Sequence, residues 1–135
     1  MPTSDQHGNM TSLSENFNLE SEISHLQQQP PSKSGVTSKM LFKDAHIRIV
    51  LLSLAAGAEL AEHHADGTLS IQVLRGAIEF QAEGKTQNLS AGQLITLAPS
   101  IPHSVRTAEP SVFLLTLAWP TDPELRSLKH RGYGT

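Results

Sequence analysis

The sequence predicts an all-β domain, an antiparallel sandwich or closed barrel. Three observations carry that expectation. Strand-length runs rich in β-branched or long apolar residues follow one another from Lys39 to Trp119. Turn residues separate them at Gly57, Gly67, Gly76, Gly84, Gly92, Pro99, Pro102 and Pro110, a pattern of short strands and breaks that does not suit an α/β sheet. The chain has 135 residues, enough to bury one hydrophobic core and too few for two ordinary domains.

Residues 1–16 are rich in Ser, Asn, Thr and Gln with almost no apolar content, so burial cannot offset the entropy of ordering them and a disordered tail is expected. Residues 17–38 form a helix or arm with its linker. Within it Leu19, Ile23 and Leu26 recur at helical spacing, Asn18 or Ser21 is a plausible N-cap, and "QPP" at 29–31 stops the pattern. This reads as a short amphipathic helix or an extended arm docked on the main domain.

The domain proper spans 39–119. Its runs are "KMLFKD", "HIRIVLLSL", "AELAEHH", "TLSIQVLRG", "AIEFQAEG", "KTQNLS", "QLITLAP", "HSVRTA" and "SVFLLTLAW". In the segment 120–135, "PTDPELRSLKHRG" puts Asp122 at an N-cap, Pro123 at the first helical position, acid early, base late and Gly132 beyond, which predicts a short C-terminal helix.

Composition narrows the chemistry. Without cysteine there is no disulfide, no thiolate nucleophile and no Cys-ligated zinc or iron–sulfur site, so a metal here must use imidazole, carboxylate or amide ligands. The net charge is −3 and the ten Lys and Arg are scattered, which leaves no electrostatic footprint for nucleic acid. Four Phe, one Trp and one Tyr also argue against a base-stacking surface. There is no apolar window of membrane-spanning length, no membrane partner is expected, and the start "MPTSDQHGNMTSLSENF" lacks a signal peptide's basic and apolar regions. A cytoplasmic protein is the expectation.

The stretch "GAELAEHHADGTLSIQVLRG" at 57–76 holds the adjacent histidines His63 and His64. Gly57, five residues, then His63, and later Gly76, have the spacing of the first cupin motif, in which Gly is followed by His-x-His, then Glu, then Gly. Downstream, "AGQLITLAPSIPHSV" resembles the second motif through Gly92, Pro99 and His103. The resemblance covers roughly residues 40–118. It implies a small single-domain cupin, a double-stranded β-helix of the jelly-roll type, with a metal motif that has degenerated.

The departures are specific. In the His63 register the family's second histidine falls on Ala65 and its glutamate on Leu69; in the second motif the turn glycine is Ser100 and an asparagine that often follows the histidine is Thr107. A register using Glu62 and His64 also finds no glutamate. A catalytic first-row metal generally wants about three protein ligands and an open position. His63 and His103 fall short unless a bulge brings His64 to the same face, because neighbours on a strand point oppositely. Glu62 meets the same obstacle. Gln72 lies an odd number of residues from Leu69 and should face away from the pocket.

Each feature also has a plainer reading. His64 fits a solvent-facing neighbour, Asp66 and Gly67 fit a turn, and "SVFLLTLAW" fits a core strand. Trp119 would cap a pocket or plug an open end. His7, His25, His46 and His130 lie outside any motif. Neither a nucleophile elbow, a phosphate loop nor His-Glu-x-x-His occurs, and Ser104 beside His103 would face away from it, which argues against a serine triad.

Two functional readings follow. In one, a pocket lined by His63, Leu69, Ile71, Val73 and His103 binds a small molecule as a binding or sensor module. In the other, His63 and His103, helped by His64 or Glu62, hold Fe, Mn, Ni or Zn in an oxygenase- or isomerase-type enzyme. A homodimer is also expected, with the arm at 17–43 laid across the partner through Leu19, Ile23 and Leu26.

Overall fold

The computed structural model describes residues 13–119. They form α1 (Leu19–Gln27) and β1 (Val36–Lys43), β2 (Ile47–Leu54), β3 (Glu59–His63), β4 (Leu69–Arg75), β5 (Ala77–Ala82), β6 (Lys85–Ser90), β7 (Leu94–Leu97), β8 (His103–Arg106) and β9 (Ser111–Ala118). The strands make two antiparallel sheets, ordered β1-β2-β9-β4-β7 and β3-β8-β5-β6. The order interleaves distant segments, because antiparallel pairs such as β2 with β9 and β5 with β8 wind the chain back and forth between the sheets. This is a double-stranded β-helix, the jelly-roll architecture that the motifs imply.

Every expected strand run contains an observed strand. One boundary differs. Val36 to Ser38, read as linker from the Ser and Gly around them, pair with Leu54 to Leu52 and lengthen β1 at its start. The expected C-terminal helix and most of the expected disordered tail, residues 1–12, lie outside the described residues. No helix among the described residues is long and apolar enough to cross a membrane.

The core lies between the sheets. Alternation sends Leu52 and Leu54 of β2, Leu69, Ile71 and Val73 of β4, Ile78 and Phe80 of β5, Val105 of β8, and Phe113, Leu115 and Leu117 of β9 inward, where they form one cluster. The intervening residues of the first sheet face out. There Leu51 and Val112 meet Ile23 and Leu26 of α1, with Leu41, Leu74 and Leu114 packed around them.

The helix forms where its apolar residues predict. Asn18 caps it by accepting from Ser21 N at 2.9 Å, and Glu20 and Glu22 in the first turn suit the positive end of the helix dipole. The same two carboxylates reach Arg75 and Lys39 and fasten the helix to β4 and β1. Ile23 and Leu26 spend their apolar surface on this chain's own sheet, because the outward row of Leu51 and Val112 supplies a complementary strip. Truncating Leu26 to alanine should cost about 2 kcal/mol in urea unfolding, the low end for a buried leucine in a cluster with a solvent-facing margin.

Two glycines mark close approaches at opposite ends of the barrel. At Gly67 a Cβ would stand 1.7 Å from the carbonyl oxygen of Ala118. At Gly76 the backbone is left-handed, with φ +73°, and a Cβ would stand 2.4 Å from the Pro110 carbonyl oxygen. Thr107 and Ser111 close the Gly76 end. Their hydroxyl oxygens lie 2.9 Å apart, and each approaches the Ala77 carbonyl, at 2.8 and 2.9 Å. The residue at the family's asparagine position is therefore a buried structural tie, remote from His103.

Candidate functional site

The site is assembled where two strand ends meet. On β3 the register shifts between Leu60 and His63, so three steps on β3 match two on β8: Leu60 pairs with Val105, and His63 with His103. Without that irregularity the inward set would run Leu60, Glu62, His64. The extra residue changes the phase, leaving Glu62 exposed and turning His63 inward. The bulge thus selects between the two registers that the sequence leaves open.

His103 opens β8, opposite both His63 and Ala82, and is 1% exposed. The His63 and His103 ring centroids are 4.4 Å apart with the planes at 61°, and Phe80 stacks on the other side of His103 at 5.7 Å. Each imidazole is oriented by the backbone two residues before it. Nδ1–H of His63 donates to the Ala61 carbonyl at 2.6 Å, and Nδ1–H of His103 to the Ile101 carbonyl at 2.9 Å. In the neutral ring that leaves Nε2 as the acceptor. On His103 this atom is buried and has no hydrogen-bond partner among the described residues.

Burial pushes the His103 pKa below its ordinary 6.5, the hydrogen bond to Ile101 opposes this, and the nearby charges of His63 and His64 lower it further. Burial outweighs the bond because taking an imidazolium out of water costs more than one carbonyl returns. The ring is neutral at pH 7. An unfolded chain takes up the proton near pH 6.5 and the folded one lower, so this histidine's contribution to stability is complete above about pH 6.5 and is lost as pH falls through the folded value. Urea midpoints should therefore drop between pH 7 and 5, and His103→Phe should show a shallower drop.

Leu69, Ile71 and Val73 all face inward with His103, as expected from their alternation, and all are buried. Leu69 lies at the histidine end; Ile71 and Val73 continue into the packed core with Phe113 and Leu115. Gln72, between them, faces away. Ala65 is buried beside Leu69, and Ser100 holds it there through its N–H to the Ala65 carbonyl at 2.7 Å. Ser100 does so at φ +68°, the left-handed conformation that the family's glycine adopts without strain.

These positions test the fit of a metal. Ala65 and Leu69 put methyl groups where the family has imidazole and carboxylate. Among the described residues no group of three or more His, Cys, Asp or Glu is arranged to hold an ion, so His63, His64 and His103 do not form one. Two imidazoles fall short of the roughly three ligands that Fe, Mn, Ni or Zn would need. The described residues do not fit such a metal.

Sequence reasoning missed Arg48. It occupies the inward set of β2 with Val50, Leu52 and Leu54, and its guanidinium lies 4.5 Å from the centre of the Trp119 ring. Burial lowers its pKa from the usual arginine value. A signal was available: in "HIRIVLLSL" the arginine shares its period-two register with core residues.

The AraC-like ligand binding domain model matches residues 54–120. No curated protein matches the chain in sequence. Among solved structures, the chain is similar to a conserved protein of unknown function, SPY1581, from Streptococcus pyogenes, at 23% identity and TM-score 0.65, over 83% of this chain and 93% of that one. An RmlC-like cupin from Shewanella frigidimarina matches at 19% identity and TM-score 0.65, over 82% of this chain and 96% of that one. The cupin domain of an XRE family transcriptional regulator from Enterobacter cloacae matches at 26% identity and TM-score 0.58, over 64% of this chain and 98% of that domain.

Proposed function

The chain is a small cupin-domain protein, and from that premise we propose that it is a ligand-binding module which holds a small organic molecule, without a metal, at the histidine end of its barrel. The observation that carries this reading is His103 Nε2, a neutral acceptor buried with no hydrogen-bond partner among the described residues. A buried polar atom left unsatisfied costs about 1 to 3 kcal/mol, and a hydroxyl or N–H group of a ligand would recover it. The His63 ring lies edge-on beside it, and Leu69 and Ala65 supply apolar wall.

A sensor or carrier role is also supported by the family match, which is to a ligand-binding domain, and by the similarity to a cupin domain of a transcriptional regulator. The enzyme reading, an oxygenase or isomerase with Fe, Mn, Ni or Zn on His63 and His103, has to find further ligands where Ala65 and Leu69 stand.

A thermal-shift screen of small metabolites tests the proposal. At least one compound should raise the melting temperature saturably, and His103→Ala should weaken its binding about tenfold or more, the equivalent of one hydrogen bond to a buried acceptor. Elemental analysis of dialysed protein decides the alternative. One equivalent of a single transition metal, lost in both His63→Ala and His103→Ala, would overturn the metal-free reading.

A further inference from the structure

Asp66 and Gly67 are the one place in the sequence where Asp or Asn is followed directly by glycine. In an open chain that pairing is reactive. The backbone nitrogen of Gly67, unshielded by a side chain, attacks the side-chain carboxyl carbon of Asp66. The new C–N bond closes a succinimide ring, and the carboxyl hydroxyl leaves as water with the proton of that nitrogen. Water then opens the ring at either carbonyl. One opening restores aspartate; the other gives isoaspartate, in which the main chain runs through the former side chain and is longer by one carbon. The two steps release and consume one water each, so no oxidant, reductant or cofactor is needed.

The fold holds this chemistry closed. The pair sits in residues 64–68, between His63 and Leu69, and the carbonyls on either side of it are tied. That of Ala65 accepts from Ser100 N–H at 2.7 Å, and that of Thr68 from Ala118 N–H at 2.8 Å. Between these ties Gly67 lies so close to β9 that a Cβ would stand 1.7 Å from the Ala118 carbonyl oxygen, and Asp66 is 3% exposed. Ring closure requires the bond from Asp66 Cα to its carbonyl carbon to turn until Gly67 N faces the side chain. That rotation would sweep Gly67 against the Ala118 peptide, and burial keeps out the water that the second step consumes.

We propose that Asp66 is an isoaspartate site which the folded loop protects and whose modification the fold cannot survive. The second half follows from the same contacts. Isoaspartate would insert a main-chain carbon between two tied carbonyls, beside a glycine that has no room for a methyl group, and would leave its carboxylate directly on the main chain. A chain that reacts while open therefore cannot rebuild the loop, nor the histidine end of the barrel that the loop completes. The lifetime of the folded protein is then a rate, set by how often this loop opens.

The full chain would be held in parallel in native buffer and in denaturing guanidinium chloride. Both arms are mildly acidic, because the carboxylic acid, and not the carboxylate, loses its oxygen as water. Electron-transfer dissociation of the peptide containing residue 66 distinguishes isoaspartate from aspartate. The denatured chain should accumulate isoaspartate steadily and the native chain about a hundredfold more slowly or less, since reaction is confined to the opened fraction. On removal of denaturant, folded protein is separated from the rest by gel filtration. The folded peak should be depleted in isoaspartate about tenfold or more relative to the material that fails to fold. Asp66→Glu, whose larger ring closes far more slowly, should abolish the signal in the denatured arm, where its own folding does not matter.

Native protein that reacts at the denatured rate would overturn the proposal, because the loop would then be open. Isoaspartate chains that refold as fully as unmodified ones would overturn it equally. A denatured chain that forms none at residue 66 would remove the site itself.

Discussion

Gly67→Ala is expected to cost about 4 kcal/mol or more, or to prevent folding altogether. The added methyl would lie 1.7 Å from the Ala118 carbonyl oxygen, about half an ordinary carbon–oxygen contact of roughly 3.3 Å. Neither side can yield cheaply. Ala118 is paired with Ile47 and donates to the Thr68 carbonyl at 2.8 Å, while Gly67 sits buried in the loop that carries Ala65 and Asp66. Overpacking against a side chain usually costs about 1 to 3 kcal/mol because the side chain can rotate; here the obstacle is backbone within a ladder, so the cost exceeds that range. Gly84 gives the comparison. A Cβ there meets nothing within 4 Å, although its φ is +73°, so Gly84→Asn should cost only about 1 kcal/mol for conformation alone. Urea titrations of both variants separate a steric requirement from a conformational one, and a Gly67→Ala protein of parental stability would show that the β4 entrance is far softer than its packing.

Phe80→Ala is the second large effect, about 3 to 5 kcal/mol for removing a ring that is 1% exposed. Its consequence reaches the site, because the ring stacks on His103. Removing it admits water to the imidazole, so the pKa that burial holds down should rise towards 6.5. An NMR titration of the His103 ring checks the second effect independently of the first. An unchanged titration in the folded variant would mean that Phe80 only fills volume.

The barrel was legible because its signals are local and repeated. Alternation in "TLSIQVLRG" and "SVFLLTLAW" orients core residues without knowledge of partners, and Gly and Pro punctuate the ends. The helix was legible for the same reason, through Asn18 and the Leu19, Ile23, Leu26 spacing. Its destination was not: whether Ile23 and Leu26 lie on this chain or another depends on Leu51 and Val112, which face out only once β2 and β9 are paired. The histidine pair was readable, but choosing His63 over His64 required the register of β3 against β8, a relation between segments forty residues apart. Arg48 was overlooked because attention to the two motifs left β2 as a core strand. Its significance comes from Trp119, at the far end of the chain's last described strand, brought beside it by the β2–β9 ladder.

The bulge in β3 has one more consequence, for how this strand can change length. Between Leu60 and His63 the strand carries one residue more than its partner needs, and both ends of the interval already face inward. Loss of Ala61 or Glu62 would straighten the ladder without reversing which way His63 points, whereas a deletion in the regular β5 would swap its two faces. β3 is thus a slack length of chain in front of the site, able to absorb a single-codon deletion while the imidazole keeps its address.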